Sequence, residues 1–211
     1  MGLDFHVNEH VLIPRQDTEI LVEEVLKELH DGMRVLDMCT GSGCILLSLL
    51  HYSNACEGLG VDLSADALEV AEQNAETLLD AVNADRVHFL QSDLFDKGKF
   101  EIIVSNPPYI ASAEVEKLMP EVRDHEPRMA LDGTEDGLHF YRRIIEEAGK
   151  HLVSSGMLFF EIGYDQGQAV SELMRTEGYR EVQVVQDYAG LDRVVFGTYV
   201  TVQPAPFAKS R

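Results

Sequence analysis

Seven short β-rich runs punctuate the chain, and helix-period segments separate most of them. No other feature of the sequence restricts the fold as tightly. The runs are Arg34 to Met38, Glu57 to Asp62, Val87 to Ser92, Phe100 to Asn106, Met157 to Ile162, Val182 to Tyr188 and Arg193 to Tyr199. Strands that alternate with crossover helices imply a mostly parallel sheet. Leu21, Val25 and Leu29 share one face of a first helix, and Leu68, Ala71, Ala75, Leu78 and Leu79 line the apolar face of another, with Ser64 placed to cap its start. Only Ala189-Gly190-Leu191-Asp192 separates the last two strands, too few residues for a helix, so they are expected to form an antiparallel hairpin. The fold class is therefore α/β: an open, doubly wound, mostly parallel seven-stranded sheet, Rossmann-like, closed by an antiparallel C-terminal hairpin. Residues 1–200 are expected to form one domain and 201–211, with Pro204 and Pro206, a flexible tail.

In such a sheet ligands bind outside the carboxyl ends of the strands, near the point where strand order reverses. The first strand runs into Cys39-Thr40-Gly41-Ser42-Gly43 and then into an apolar helix from Cys44. Glycines at this turn let backbone approach a ligand, and the free N–H groups of the helix start favour polar or anionic groups. The second strand ends on Asp62, where a carboxylate can accept from both hydroxyls of a ribose; the third ends near Asp93 and Leu94, suited to an adenine amino group and ring. Taken together these residues specify adenosine. A dinucleotide would need the third glycine of the Gly-x-Gly-x-x-Gly cradle, and Leu46 stands there, so S-adenosylmethionine is favoured over NAD.

The fourth strand delivers Asn106-Pro107-Pro108-Tyr109 to the same edge. Consecutive prolines lock φ and remove two backbone donors, leaving carbonyls as pure acceptors. The Asn106 side-chain oxygen and the Pro107 carbonyl can accept both hydrogens of an NH2 group and aim its nitrogen, while Tyr109 is suited to stacking on a planar substrate. A conjugated amide or aryl-amine lone pair attacks poorly, so hydrogen bonds that favour positive charge growing on nitrogen stabilise the transition state more than the ground state. Asn106 also borders the cofactor turn.

Composition narrows the partners. With 17 basic and 37 acidic residues the net charge is −20, a field that repels phosphate backbones and makes nucleic acid an unlikely partner. Cys39, Cys44 and Cys56 form no CxxC pair and stand beside no His cluster, so no metal site is expected and they read as small reduced core residues of a cytoplasmic protein. No apolar run is long enough to span a bilayer.

Asn106-Pro107-Pro108-Tyr109 after the fourth strand, together with Val11-Leu12-Ile13-Pro14-Arg15-Gln16-Asp17-Thr18-Glu19 before the first helix, resembles the HemK-type protein-(glutamine-N5) methyltransferases, which act on peptide chain release factors. The resemblance runs from about Phe5 to about Gly197 and takes in Glu126-Pro127-Arg128, Asp132-Gly133, Asp136-Gly137-Leu138, Glu161-Ile162-Gly163 and Asp187 to Arg193. It implies a class I S-adenosylmethionine-dependent enzyme that methylates the glutamine of a Gly-Gly-Gln motif. Asn106 and Pro107 would hold the target amide, Tyr109 would contact the substrate, and Pro14-Arg15 would wall the substrate pocket. His125 and Glu126 are assigned no chemistry. Cys39 stands where the family usually has glycine, which would be strained at positive φ, and Gln16 replaces a proline. The small helical domain that precedes the family's catalytic domain is expected to be absent. Two other enzymatic readings remain at this level: glutamine methylation of a ribosomal protein, which the Cys39 to Cys44 turn also suits, and methylation of an exocyclic amino group of a nucleic-acid base. Against a cofactor-binding scaffold without catalysis stands the intact Asn-Pro-Pro-Tyr loop.

Overall fold

Period-two alternation of apolar side chains builds a sheet with two greasy faces, and helices cover both. The computed structural model describes residues 1–80, 84–95 and 97–200. Its strands are β1 (Arg34–Met38), β2 (Glu57–Asp62), β3 (Val87–Gln91), β4 (Phe100–Ser105), β5 (Leu152–Glu161), β6 (Tyr179–Gln186) and β7 (Asp192–Tyr199), in the sheet order β3-β2-β1-β4-β5-β7-β6. The strands from β1 to β5 pair in parallel, while β7 runs antiparallel to both β5 and β6. The hairpin expected from the short connection thus forms, with the last strand inserted inside the sheet and β6 at its edge.

The helices are α1 (Thr18–Glu28), α2 (Cys44–His51), α3 (Ala65–Leu78), three single-turn helices α4 (Ser112–Val115), α5 (Pro120–Arg123) and α6 (Arg128–Leu131), then α7 (His139–Ala148) and α8 (Gly167–Thr176). One apolar core joins Leu21 and Val25 of α1 and Leu46 and Leu49 of α2 to Val35, Ile102, Val104, Phe159, Val194 and Phe196 of the sheet. The opposite core joins Tyr141 and Ile144 of α7 and Val170 and Met174 of α8 to Leu36, Ile103, Leu158, Phe160 and Val195. Neighbours along each strand therefore enter opposite layers, as the pleat demands. Burying one such side chain contributes about 1.5–3 kcal/mol. Ser64 caps α3, accepting from the Ala67 N–H at 3.2 Å.

Several strand boundaries move, and β6 begins at Tyr179 rather than Val182. β5 begins at Leu152 rather than Met157, because the intervening residues bulge out of register, with Ser155 at φ 65°, while pairing resumes from Phe100↔Leu152 to Ile102↔Met157. β6 stops at Gln186, since the Asp187 carboxylate accepts from the Ala189 and Leu191 N–H groups and turns the chain there. The tail expected from residue 201 lies outside the described residues.

Sheet order reverses at β1 and β4: the chain goes outward from β1 to β2 and β3, then returns to the other side of β1. Met38 and Ser105 pair at that point, and the Ser105 hydroxyl donates to the Met38 carbonyl at 2.7 Å.

Candidate active site

Beyond Met38 the chain must leave the sheet, clear β2 and start α2 within a few residues. Cys39 (φ 59°), Gly41 (φ 55°) and Gly43 (φ 77°) make that turn in left-handed conformations. A β-carbon on Gly43 would meet Leu47 Cδ1 at 3.1 Å and Ala71 Cβ at 3.2 Å, so packing and backbone both ask for glycine there. Cys39 adopts the strained conformation anticipated for a non-glycine residue, at a cost on the order of 1 kcal/mol. Asp62 braces the turn from β2: its Oδ2 accepts the Gly41 N–H and its Oδ1 the Ser64 N–H, each at 2.9 Å. The Thr40 hydroxyl donates to Asp37 Oδ2 at 2.7 Å, and Asp37 Oδ1 is buried without a partner. Burial pushes the Asp37 carboxyl up to about 7 against the Thr40 bond, with the Asp62 charge adding to the rise.

Asn106, Pro107, Pro108 and Tyr109 follow β4 without secondary structure of their own, and neighbours hold them in place. Ile110 bridges Asp132, the Ile110 N–H donating to the Leu131 carbonyl at 3.0 Å and the Gly133 N–H to the Ile110 carbonyl at 2.8 Å. The 133–137 segment passes so near the loop that a β-carbon on Gly137 would lie 2.3 Å from the Tyr109 carbonyl oxygen. Gln166 completes the clamp: its Nε2 donates to the Tyr109 carbonyl at 3.0 Å and its Oε1 accepts the Gly163 N–H at 3.0 Å. Sequence reading passed over Gln166, since a lone glutamine beside a helix start carries no pattern.

A cleft of 480 Å³ opens where these two loops meet, within the size range of small-molecule sites. Of the residues proposed from sequence, Pro14, Cys39, Thr40, Gly41, Ser42, Asp62, Asp93, Leu94, Asn106 and Pro108 line it. Gly43, Pro107, Tyr109 and Arg15 do not. Gly43 lies beneath the turn as the residue before α2. Tyr109 packs against the core on the α7 side, and burial, with the Glu161 charge next, pushes its hydroxyl up to about 12, while Arg193 and Arg15 pull the other way. Arg15 faces a neighbouring hollow and reaches Glu126 Oε1 at 2.5 Å. Glu126, to which the sequence assigned no chemistry, is buried with Oε2 unpartnered; it anchors Arg15 and ties the N-terminal segment to the loop before α6.

Asp93 is exposed at the cleft and already paired with Arg143, both contacts 3.1 Å, an exchangeable surface pair that costs little to break. Cys39 and Cys44 also correct their expectation, since they are half-buried in the cleft wall rather than core residues; Cys56 alone of the three is fully buried. Val61, Leu63, Ser64, Ala67, Met129 and Phe140 are among the other residues of its walls. Leu63 and Ser64 follow Asp62 and could have been added on that ground, whereas Phe140 and Met129 arrive from remote segments and had no local signal. The N-terminal segment covers one side, fastened by Asn74, whose Oδ1 accepts the His6 N–H at 2.7 Å while its Nδ2 donates to the carbonyls of His6 and Ser42. No group of three or more metal-ligating side chains occurs among the described residues.

With this geometry in view, the comparisons with known proteins are decisive for family. The family model described as Methyltransferase small domain matches residues 15–122. A release factor glutamine methyltransferase of Clostridium acetobutylicum is 48% identical over 202 residues, an alignment covering 92% of this chain and 70% of the relative. The chain belongs to the release factor glutamine methyltransferases. A second member of the family, from Thermodesulfovibrio yellowstonii, is 44% identical over 92% of this chain and 71% of its own length. The crystal structure of a protein-(glutamine-N5) methyltransferase described as release factor-specific, from Alicyclobacillus acidocaldarius, matches at TM-score 0.54 and 33% identity, covering 93% of this chain and 99% of that one. A methyltransferase from Pyrococcus furiosus, at TM-score 0.67 and 18% identity over 93% of this chain and 89% of its own, shares the fold alone. The family's glutamine chemistry accords with a loop of bare acceptors at the switch point.

Proposed function

We propose that this chain transfers the methyl group of S-adenosylmethionine to the side-chain amide nitrogen, N5, of the glutamine in the Gly-Gly-Gln motif of peptide chain release factors. The observation that carries the reading is that Asn106 and Pro108 line the same cleft as the glycine turn and Asp62, at the point where sheet order reverses.

The cleft fits the cofactor. Its walls are apolar at Ile45, Val61, Leu63, Ala67, Leu94 and Phe140, as a nucleoside face requires, and polar at a few placed groups. Nothing lies within 4 Å of where a β-carbon on Gly41 would sit, so the turn leaves open space on that side. Asp62, its N–H partners already fixing its rotamer, has lone pairs left for ribose hydroxyls; Asp93 and Leu94 suit the adenine; Cys39, Thr40, Gly41, Ser42 and Gly43 would supply the turn around the amino-acid portion, with Asn106 beside it. Bound there, S-adenosylmethionine supplies an electrophilic methyl carbon on a sulfonium.

The protein's own part is orientation and electrostatics. Asn106 Oδ1 and the Pro107 carbonyl accept the two N–H bonds of the glutamine amide and set its nitrogen lone pair on a line of attack. As the nitrogen takes the methyl group, the S–CH3 bond would break with its electron pair passing to sulfur and S-adenosylhomocysteine as the leaving group; positive charge grows on the nitrogen, its N–H bonds polarise, and the same two acceptors bind more tightly than they did in the ground state. The alkylated nitrogen is acidic and releases one proton to water, so no strong base is required. Pro108 and Pro14 shape the wall against which the planar amide rests, Tyr109 supports the loop from the core behind it, and Arg15, held by Glu126, stiffens the N-terminal side of the opening. An enzyme that methylates release factors would act in the cytoplasm, where those factors work. Among the described residues no helix is long and apolar enough to cross a membrane.

The test is methyl transfer from labelled S-adenosylmethionine to a release factor, to the same factor with its Gly-Gly-Gln glutamine replaced, to ribosomal proteins, and to RNA and DNA. Label on the unaltered release factor alone is the expected result. Label retained after the glutamine is replaced, or found on ribosomal protein or nucleic acid instead, would overturn the substrate assignment.

A further inference from the structure

Glu161 is the last residue of β5, and the register Ser105↔Phe160 makes it the lateral neighbour of Asn106, the first residue beyond β4. Both follow residues of the α1-side core, Val104 and Phe159, by two positions and so project toward the same face of the sheet. Thr18, in the first turn of α1, closes the group from above and also lines the cleft. The Thr18 and Asn106 side chains lie near enough to the Glu161 carboxyl to favour its ionised form, and the residue is 2% exposed, yet its Oε2 has no hydrogen-bond partner. A buried acid left half-satisfied destabilises a fold, so stability does not explain its presence.

An asparagine amide has two ends of nearly equal shape and opposite hydrogen-bonding sense. A site that must accept N–H bonds from a substrate needs the oxygen inward; the flipped amide would set NH2 against NH2. An ionised carboxylate only accepts, so it can bond Asn106 through Nδ2 alone and leaves Oδ1 free. We infer that Glu161 is a positioning residue for the transfer: its carboxylate holds Asn106 Nδ2 and thereby turns Asn106 Oδ1 toward the cleft, where the target amide must donate. The inference rests on the reading of the site as an amide methyltransferase.

Protonation reverses the effect, because a carboxylic acid can donate to Asn106 Oδ1 and turn it away from the cleft. The groups facing Glu161 are Arg193 of β7, Asp17 ahead of α1, Tyr109 after β4, Cys44 at the start of α2, and Tyr141 of α7, whose hydroxyl donates to the Glu161 backbone carbonyl at 2.9 Å. Burial pushes the Glu161 carboxyl up to about 7, with Asp17 adding to the rise and Thr18, Arg193 and Asn106 opposing it. Turnover is therefore expected to climb with pH through that region as the orienting form is populated.

Two readouts on the full chain test this. In ¹⁵N-edited NMR spectra the Asn106 side-chain NH2 signal, identified by its loss in Asn106→Ala, should titrate with a midpoint near 7 in the wild type and stop titrating in Glu161→Gln. With a release factor as substrate, Glu161→Gln should lower kcat roughly tenfold on the alkaline side, where the wild type is oriented. It should also abolish the acid limb of the pH profile and leave the calorimetric affinity for S-adenosylhomocysteine unchanged, and Glu161→Asp should recover part of kcat and the limb. A wild-type Asn106 signal indifferent to pH, or a Glu161→Gln enzyme with wild-type kcat and profile, would overturn the inference. Should the wild type not methylate a release factor, the substrate reading falls by itself and the amide titration, which needs no substrate, still decides the role of Glu161.

Discussion

Asp37 lies at the end of β1 with one oxygen bonded to Thr40 and the other to nothing, and its carboxyl is held up at about 7 by burial. An acid whose folded value lies above its ordinary 3.8 retains a proton on folding; the stability this lends is complete below the ordinary value and lost as pH rises through the folded one. Replacing Asp37 with Asn keeps an acceptor for Thr40 and removes the titration. The drop in urea-derived stability between about pH 5 and pH 8 should shrink by about 2–3 kcal/mol in Asp37→Asn, and an undiminished drop would show that Asp37 is solvated and ordinary. At this scale some roles were open to sequence reading and others were not. The placing of Asp62, Gly41 and Asn106 at the cleft was legible because a strand end followed by a turn leaves those types few positions, whereas Gly43 lies beneath the turn rather than in the wall. Glu126, Gln166 and Glu161 gain theirs from partners far away in the chain, and no local pattern registers a contact with Arg15, Tyr109 or Asn106.

The elements owe their legibility to periodicity. β1, β2 and α3 could be read from apolar spacing, and Ser64 marked the start of α3, because those signals lie within one or two turns of chain. The single-turn helices α4, α5 and α6 are too short to show a period, and the bulge in β5 imitates a loop because Ser154, Ser155 and Gly156 are turn formers. Those short helices form the strap that braces the Asn-Pro-Pro-Tyr loop, and Gly133 and Gly137 exist there to admit the backbone of Tyr109. In Gly137→Ala the added carbon would sit 2.3 Å from the Tyr109 carbonyl oxygen, on a residue whose φ of 72° already disfavours a side chain. Thermal unfolding should show a loss of about 1–3 kcal/mol, with methyl transfer falling further than stability accounts for because the loop is pushed out of line. Wild-type transfer in Gly137→Ala would mean that the strap moves independently of the loop.

The whole molecule carries a formal charge of −20, and like charges at that density repel one another across the surface. Raising sodium chloride from about 20 mM to about 300 mM shortens the Debye length and should raise the thermal midpoint measurably, whereas a flat or falling midpoint would show that attractive pairs such as Arg128 with Glu116 outweigh the repulsion. The site is likewise a property of the whole: β1, β2, β3 and β4 bring their ends together only because sheet order reverses between β1 and β4, and α1, the strap and β5 close on Asn106 from three directions. The class of the fold and the place of its cleft follow from strand order, which short connections and alternation reveal; the bracing contacts follow from packing, which they do not. The central claim is that Asn106 orients a planar amide for attack, and Asn106→Ala tests it most directly. Single-turnover methylation of a release factor should fall on the order of a hundredfold or more, far beyond any loss of S-adenosylhomocysteine affinity. Transfer at the wild-type rate in that variant would contradict the account.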